Sequence, residues 1–160
     1  DEVTSEVKIE TLLGILNNEF SGRTVVFFTE YKATQALLAN TLHEHFGHGS
    51  VSFINGDGKL ENIKDAEGKM SSWSMDRYDA AKKFTDGAVR FIICTEAGGE
   101  GIDLQDNCFS MIHVDLPWNP MRLHQRVGRL NRYGQKNAVE VMTLRNPDTV
   151  ESRIWDLLNE

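Results

Sequence analysis

Short, wholly apolar runs alternate along this chain with longer stretches in which apolar residues recur every third or fourth position. Residues 24–29 read Thr-Val-Val-Phe-Phe-Thr, apolar on both faces of an extended chain, which suits a strand covered on both sides. The same signature returns at 51–54, 89–94, 110–114 and 138–144. Val7, Leu12, Leu13, Leu16 and Phe20 keep helical spacing and predict a helix over 5–20, ended by Ser21-Gly22. Further helices are predicted at 31–46, 75–85, 120–132 and 148–159. Strands that alternate with helices imply an α/β fold with a mainly parallel sheet covered by helices.

Local residues sharpen some of the ends. Asn119 is a good N-cap and Pro120 a good first helical residue, while Gly134 suits a left-handed stop. Asp148 and Glu151 form a capping-box variant before the last helix. Residues 56–74 are rich in Gly, Lys and Glu with few apolar anchors, so a mobile surface loop is expected there, with some helical tendency near 61–67.

At 160 residues the chain has the length of one domain, long enough for a substantial core. It begins at Asp1 without an initiator Met, as an excised piece would. No apolar run reaches membrane-spanning length and no signal peptide is visible, so a cytosolic or nucleoid setting without membrane contact is expected. Cys94 and Cys108 do not have zinc-site spacing and are read as reduced. His43, His45 and His48 cluster near a helix C-terminus, which favours imidazolium, but no cysteine or carboxylate pattern completes a metal site.

The net charge of −7 argues against bulk electrostatic binding of nucleic acid. Its distribution matters more than its total. Between Leu116 and Val139 stand Arg122, Arg126, Arg129, Arg132 and Lys136 with no acid, whereas the first twenty residues hold five acids against Lys8. On a helix, Gln125, Arg129 and Arg132 fall within about 60° of one another, and Arg122 and Arg126 widen that face to about 120°. Leu123, Val127 and Leu130 lie opposite, leaving a face of four arginines whose planar forks suit a polyphosphate.

In this setting Gln125, Gly128, Arg129 and Arg132 resemble the sixth motif of superfamily 2 helicases, Gln-x-x-Gly-Arg-x-x-Arg. The ending Arg132-Tyr133-Gly134-Gln135 is similar to that of Swi/Snf-type DNA translocases. The run Thr95-Glu96-Ala97-Gly98-Gly99-Glu100-Gly101-Ile102-Asp103-Leu104 resembles the fifth motif, and Asp115 with Trp118-Asn119-Pro120 matches a Swi/Snf loop. The likeness spans nearly the whole chain and is nearest to bacterial members typified by the RNA-polymerase-associated ATPase. Gly128 departs from the eukaryotic remodellers, which carry an acid there, and 56–74 is longer than the corresponding family segment.

That resemblance implies a RecA-like fold and specific roles. Arg129 and Arg132 would be arginine fingers. Gly101, Asp103, Gln125 and Gly128 would face the nucleotide, and Thr29, Arg77, Thr95, Gly98 and Gly99 would touch nucleic-acid backbone. No Gly-x-x-x-x-Gly-Lys-Ser/Thr and no Asp-Glu-x-His element occurs, so ATP and Mg²⁺ would be held mainly by a separate first lobe. The implied partners are that N-terminal lobe, double-stranded DNA and, through the bacterial group, RNA polymerase. A DEAD-box-like RNA helicase lobe is the alternative track reading. A nucleic-acid-binding or docking module without catalysis is the alternative of a different class.

Overall fold

The computed structural model describes the backbone of residues 2–117, 119–146 and 149–155, and the side chains of 8–117 and 119–144. Helix α1 (Glu2–Asn17) leads into β1 (Val25–Phe28), α2 (Lys32–Phe46) and β2 (Val51–Ile54). A hairpin of β3 (Lys59–Lys64) and β4 (Met70–Ser74) follows, then α3 (Arg77–Thr85), β5 (Phe91–Cys94), the single turn α4 (Glu96–Gly99) and β6 (Ser110–His113). Helix α5 (Pro120–Val127) and strands β7 (Val139–Asn146) and β8 (Thr149–Trp155) complete the order.

The main sheet runs β2-β5-β1-β6-β7-β8, parallel through β7 and antiparallel at β8. This is the expected RecA-like α/β arrangement. Successive side chains point to opposite faces of a strand, so each apolar run feeds two cores. Val25, Phe27, Phe91, Ile93 and Ile112 pack with Leu12, Leu16, Leu38 and Leu42 of α1 and α2. Val26, Phe28, Ile92, Cys94 and Met111 pack with Ala80 and Phe84 of α3, with Val127 at the end of α5 and with Leu130 in the turn beyond it. The end of α1 is tied down by Arg90, whose guanidinium donates to the carbonyls of Leu16, Phe20 and Arg23.

Three expectations are overturned. Residues 56–74 hold a β-hairpin, not a loop with helical tendency. Leu60 and Ile63 are three apart, which reads as helical, yet both are buried in β3 because a register shift lies between them and Asn62 takes φ 61°. Residues 149–155 pair along β7 as a strand where a helix was expected. Their β-branched Thr149, Val150 and Ile154 suit a strand, and β7 offers an open edge. Asp148 of the anticipated cap lies outside the described residues, as does Trp118.

The third correction concerns α5, which stops at Val127 instead of 132. Gly128 is its C-cap, with its N–H on His124 O, and the next two amides tighten to i−3 carbonyls: Arg129 onto Arg126 and Leu130 onto Val127. The N-terminal reading holds. Asn119 accepts from Met121 N at 2.9 Å with Pro120 following; Gly134 takes the left-handed φ of 98° expected of it, but the helix has already ended at Gly128.

Candidate functional site

In the main sheet, β1 connects through α2 toward β2 on one side, whereas its neighbour β6 connects through α5 toward β7 on the other. Such a divergence opens a crevice beyond the strand ends. Thr29 follows β1, Thr95 follows β5 and Asp115 lies just beyond β6, so all three stand at this rim.

The rim is internally bonded. Thr29 donates its hydroxyl to Asp115 Oδ2 and accepts from Tyr31 N, while Glu30 N donates to Asp115 Oδ1 at 3.0 Å. Thr95 caps α4 by accepting from Gly98 N. Gln35, fully buried, donates to the carbonyls of Ile54 and Ile93, which pins the ends of β2 and β5 side by side. Two clefts open here. One of about 610 Å³ is lined by Lys32, Asn55, Thr95, Asn119 and Arg122, among others. Another of about 320 Å³ is lined by Phe28, Glu96, Glu100, Gln125, Arg126 and Arg129. Arg122, Glu96 and Ala97 border both.

The expected site residues separate into exposed and enclosed groups. Gln125, Gly101 and Asp103 are exposed, and Arg129 and Arg132 are half-buried. Burial, and then the charge of Arg132, lowers the pKa of Arg129, so the two guanidiniums share one neighbourhood; Glu100 and Arg77 act on Arg129 as well. Arg77 donates to the carbonyl of Glu100 at 2.6 Å and so braces the loop beside Arg129. Gly101 takes φ 79°, which favours glycine. Gly128 sits closely under its own helix end, where an added Cβ would meet His124 O at 3.2 Å.

Thr29, Thr95, Gly98 and Gly99 are all buried, and of the four Thr95 still borders the larger cleft. Gly98 lacks a side chain because the Asn55 backbone occupies that space, and Gly99 packs near Cys94 and Phe28. The glycines therefore serve packing between protein segments first.

Arg126 corrects the picture of four arginines on one open face. Its side chain is 0% exposed and makes ion pairs with Glu96 and, at 3.6 Å, with Asp115. Nη1 donates to Asp115 O at 2.7 Å and to His113 Nδ1 at 3.1 Å, with the guanidinium over the Phe28 ring. Burial, followed by the Arg126 charge, drives His113 down to about 3, so His113 is neutral and accepts at Nδ1. Wheel geometry placed Arg126 at the margin of the basic face. Glu96 was the available signal, as the acid adjoining Thr95.

Residues 7–134 match the helicase conserved C-terminal domain. The chain belongs to that family. It is 41% identical over 136 residues to the uncharacterized ATP-dependent helicase YqhH of Bacillus subtilis (strain 168), a match covering 85% of this chain and 21% of that protein. The chain thus spans about a fifth of that relative's length. In fold it is similar to the C-terminal part of the Fun30 ATPase domain, with a TM-score of 0.66, 22% identity, and coverage of 87% of this chain and 42% of that one.

Within this helicase domain both cysteines and His43 titrate away from their ordinary ranges. Burial raises the thiol of Cys94 to about 12 and that of Cys108 to about 11, so neither is a ready nucleophile. The rings of His43 and His48 stack at 4.6 Å, and His43 is pushed down to about 4 by burial and then by His48, not favoured as imidazolium. No helix among the described residues is long and apolar enough to cross a membrane.

Proposed function

We propose that this helicase C-terminal domain is the second motor lobe of an ATP-dependent DNA translocase or helicase of the Swi/Snf type, of the bacterial group that accompanies RNA polymerase. The observation that carries the reading is half-buried Arg129, which lines an open cleft with Gln125 and has the half-buried Arg132 in its electrostatic neighbourhood. Donors on this rim, with no phosphate-cradling loop in the sequence, form half of a site. A first lobe supplies the other half.

In this reading a first lobe would hold ATP and Mg²⁺, the nucleotide supplying the phosphoanhydride to be cleaved and the cation supplying positive charge against its phosphates. Arg129 and Arg132 close over the phosphate chain and stabilise the charge that develops during transfer to water. Gln125, Gly101 and Asp103 border the nucleotide, and Gly128 lets the arginine turn leave α5 at the required angle. The nucleic-acid backbone runs along the larger cleft past Lys32, Asn119 and Arg122. Thr95 lines that cleft, Thr29, Gly98 and Gly99 support its wall from behind, and Arg77 braces the Glu100 loop of the smaller cleft. The setting is the bacterial cytosol or nucleoid.

The test is ATP turnover by the isolated domain and by the same domain joined to its first lobe, each with and without duplex DNA or RNA. The reading expects no hydrolysis by the isolated domain and DNA-stimulated hydrolysis by the joined protein. Stimulation by RNA alone would move the assignment to the RNA helicase alternative. Salt-insensitive binding by the isolated domain, much tighter than the about 10⁻⁴ to 10⁻⁶ M of nonspecific contacts, would favour a stand-alone binding module.

A further inference from the structure

Arg126 is among the largest fully buried side chains; it lines the smaller cleft and pairs with Glu96, which borders both clefts. A buried guanidinium is a poor way to fill a core, since its desolvation is offset only by well-placed partners, and an apolar side chain would fill the volume at lower cost. Its partners here come from separate loops. Glu96 adjoins Thr95 on the loop after β5, and Asp115 follows β6. The carboxylate of Asp115 in turn holds the hydroxyl of Thr29 and the amide of Glu30 after β1. One cation therefore ties together the ends of three neighbouring strands.

The same residue is fastened to the arginine turn. Arg126 O accepts from Arg129 N at 3.1 Å, so the backbone that carries Arg129 hangs directly on Arg126. The path from Glu96 or Asp115 to Arg129 thus runs through one buried side chain and one backbone hydrogen bond. The fork is also incompletely used. Among the described residues Nη2 makes no hydrogen bond and only a 3.6 Å ion pair with Asp115 Oδ1, so a closer approach of Asp115 would add a bond.

We infer that Arg126 is a positioning residue that couples engagement of nucleic acid at the β1, β5 and β6 loops to the placement of Arg129 and Arg132. This rests on the motor-lobe reading and adds to it the element through which the two clefts communicate. Nucleic acid that displaces the Thr29 or Thr95 loop shifts Asp115 or Glu96. Arg126 follows, and with it the arginine turn.

The test is the ratio of ATP turnover with saturating duplex DNA to turnover without it, in the protein carrying both lobes. The ratio is independent of the folded fraction, which a merely structural role would change. Arg126→Lys keeps the charge but loses the fork, and Glu96→Gln keeps the shape but loses the charge. Each is expected to lower the ratio about tenfold or more, within the about 5- to 150-fold span of ordinary coupling between sites. If both turnovers fall in step and the ratio is unchanged, the inference is overturned and Arg126 only supports the fold. Should Arg126→Lys fail to fold, the ratio for Glu96→Gln decides alone. If the unaltered protein shows no stimulation by any nucleic acid, the motor-lobe reading fails, and the coupling role with it.

Discussion

A side chain on Gly98 would have to occupy the backbone of Asn55: an added Cβ falls 2.4 Å from the Asn55 Cα and 2.7 Å from its nitrogen. Asn55 cannot retreat easily. Its amide donates to Gln35 Oε1 at 3.0 Å and Lys59 O at 2.9 Å, and its Oδ1 accepts from Gly58 N at 2.7 Å. Gly98→Ala should therefore destabilise the domain by about 1–3 kcal/mol, as overpacking of a closed core does. Denaturant unfolding of the two proteins checks this, and equal midpoints would show that the contact yields without cost.

Acid should weaken the fold through His43. Its folded pKa of about 4 lies below the ordinary 6.5, so the unfolded chain binds more protons between these values. Stability is complete above 6.5 and declines as pH falls toward 4, by up to about 1.4 kcal/mol per pH unit. His113, lowered to about 3, adds a loss of the same sign. Both ring nitrogens of His43 lack a partner among the described residues, so His43→Leu sacrifices no such bond. The variant should show a shallower loss of stability between about pH 6 and 4.5, and an unchanged slope would contradict the assignment.

Trp73 should anchor the hairpin. Its ring meets Phe53 edge-on at 4.7 Å and lies 5.2 Å from His43, placing β4 against the core over α2 and β2. Full burial would make Trp→Ala cost about 3–5 kcal/mol; half-buried Trp73 should cost about 2 kcal/mol. Hydrogen exchange should be slow in the paired segments 59–64 and 70–74 of the unaltered protein and faster after Trp73→Ala. Fast exchange throughout 56–74 before substitution would show that the hairpin is not held.

The parts of this architecture legible in the sequence were those set by strong local signals. The run around Val25–Phe28 reads as a buried strand because both of its faces meet helices, and Asn119-Pro120 marks the start of α5 through local capping chemistry. Leu60 and Ile63 misled because one left-handed residue, Asn62, brings positions three apart into the same core. The 149–155 strand depends on the free edge of β7, which no local window contains. Arg126 was misplaced for a similar reason. A helical wheel gives an angle, but burial follows from Glu96 and Asp115, which stand 30 and 11 residues away in the chain.

Substitution of Arg129 and of Arg132, one at a time, in the protein carrying both lobes tests the central claim most directly. Nucleic-acid-stimulated ATP turnover should fall by about 10³ to 10⁵ for Arg129→Ala and Arg132→Ala, the span of an arginine finger. Lys136→Ala removes an exposed charge just beyond the same turn and should leave turnover near that of the unaltered protein, because such surface changes alter stability by only about 0.5 kcal/mol. Near-normal turnover in both arginine variants, with folding unchanged, would contradict the finger assignment and leave the basic turn as a docking or nucleic-acid surface.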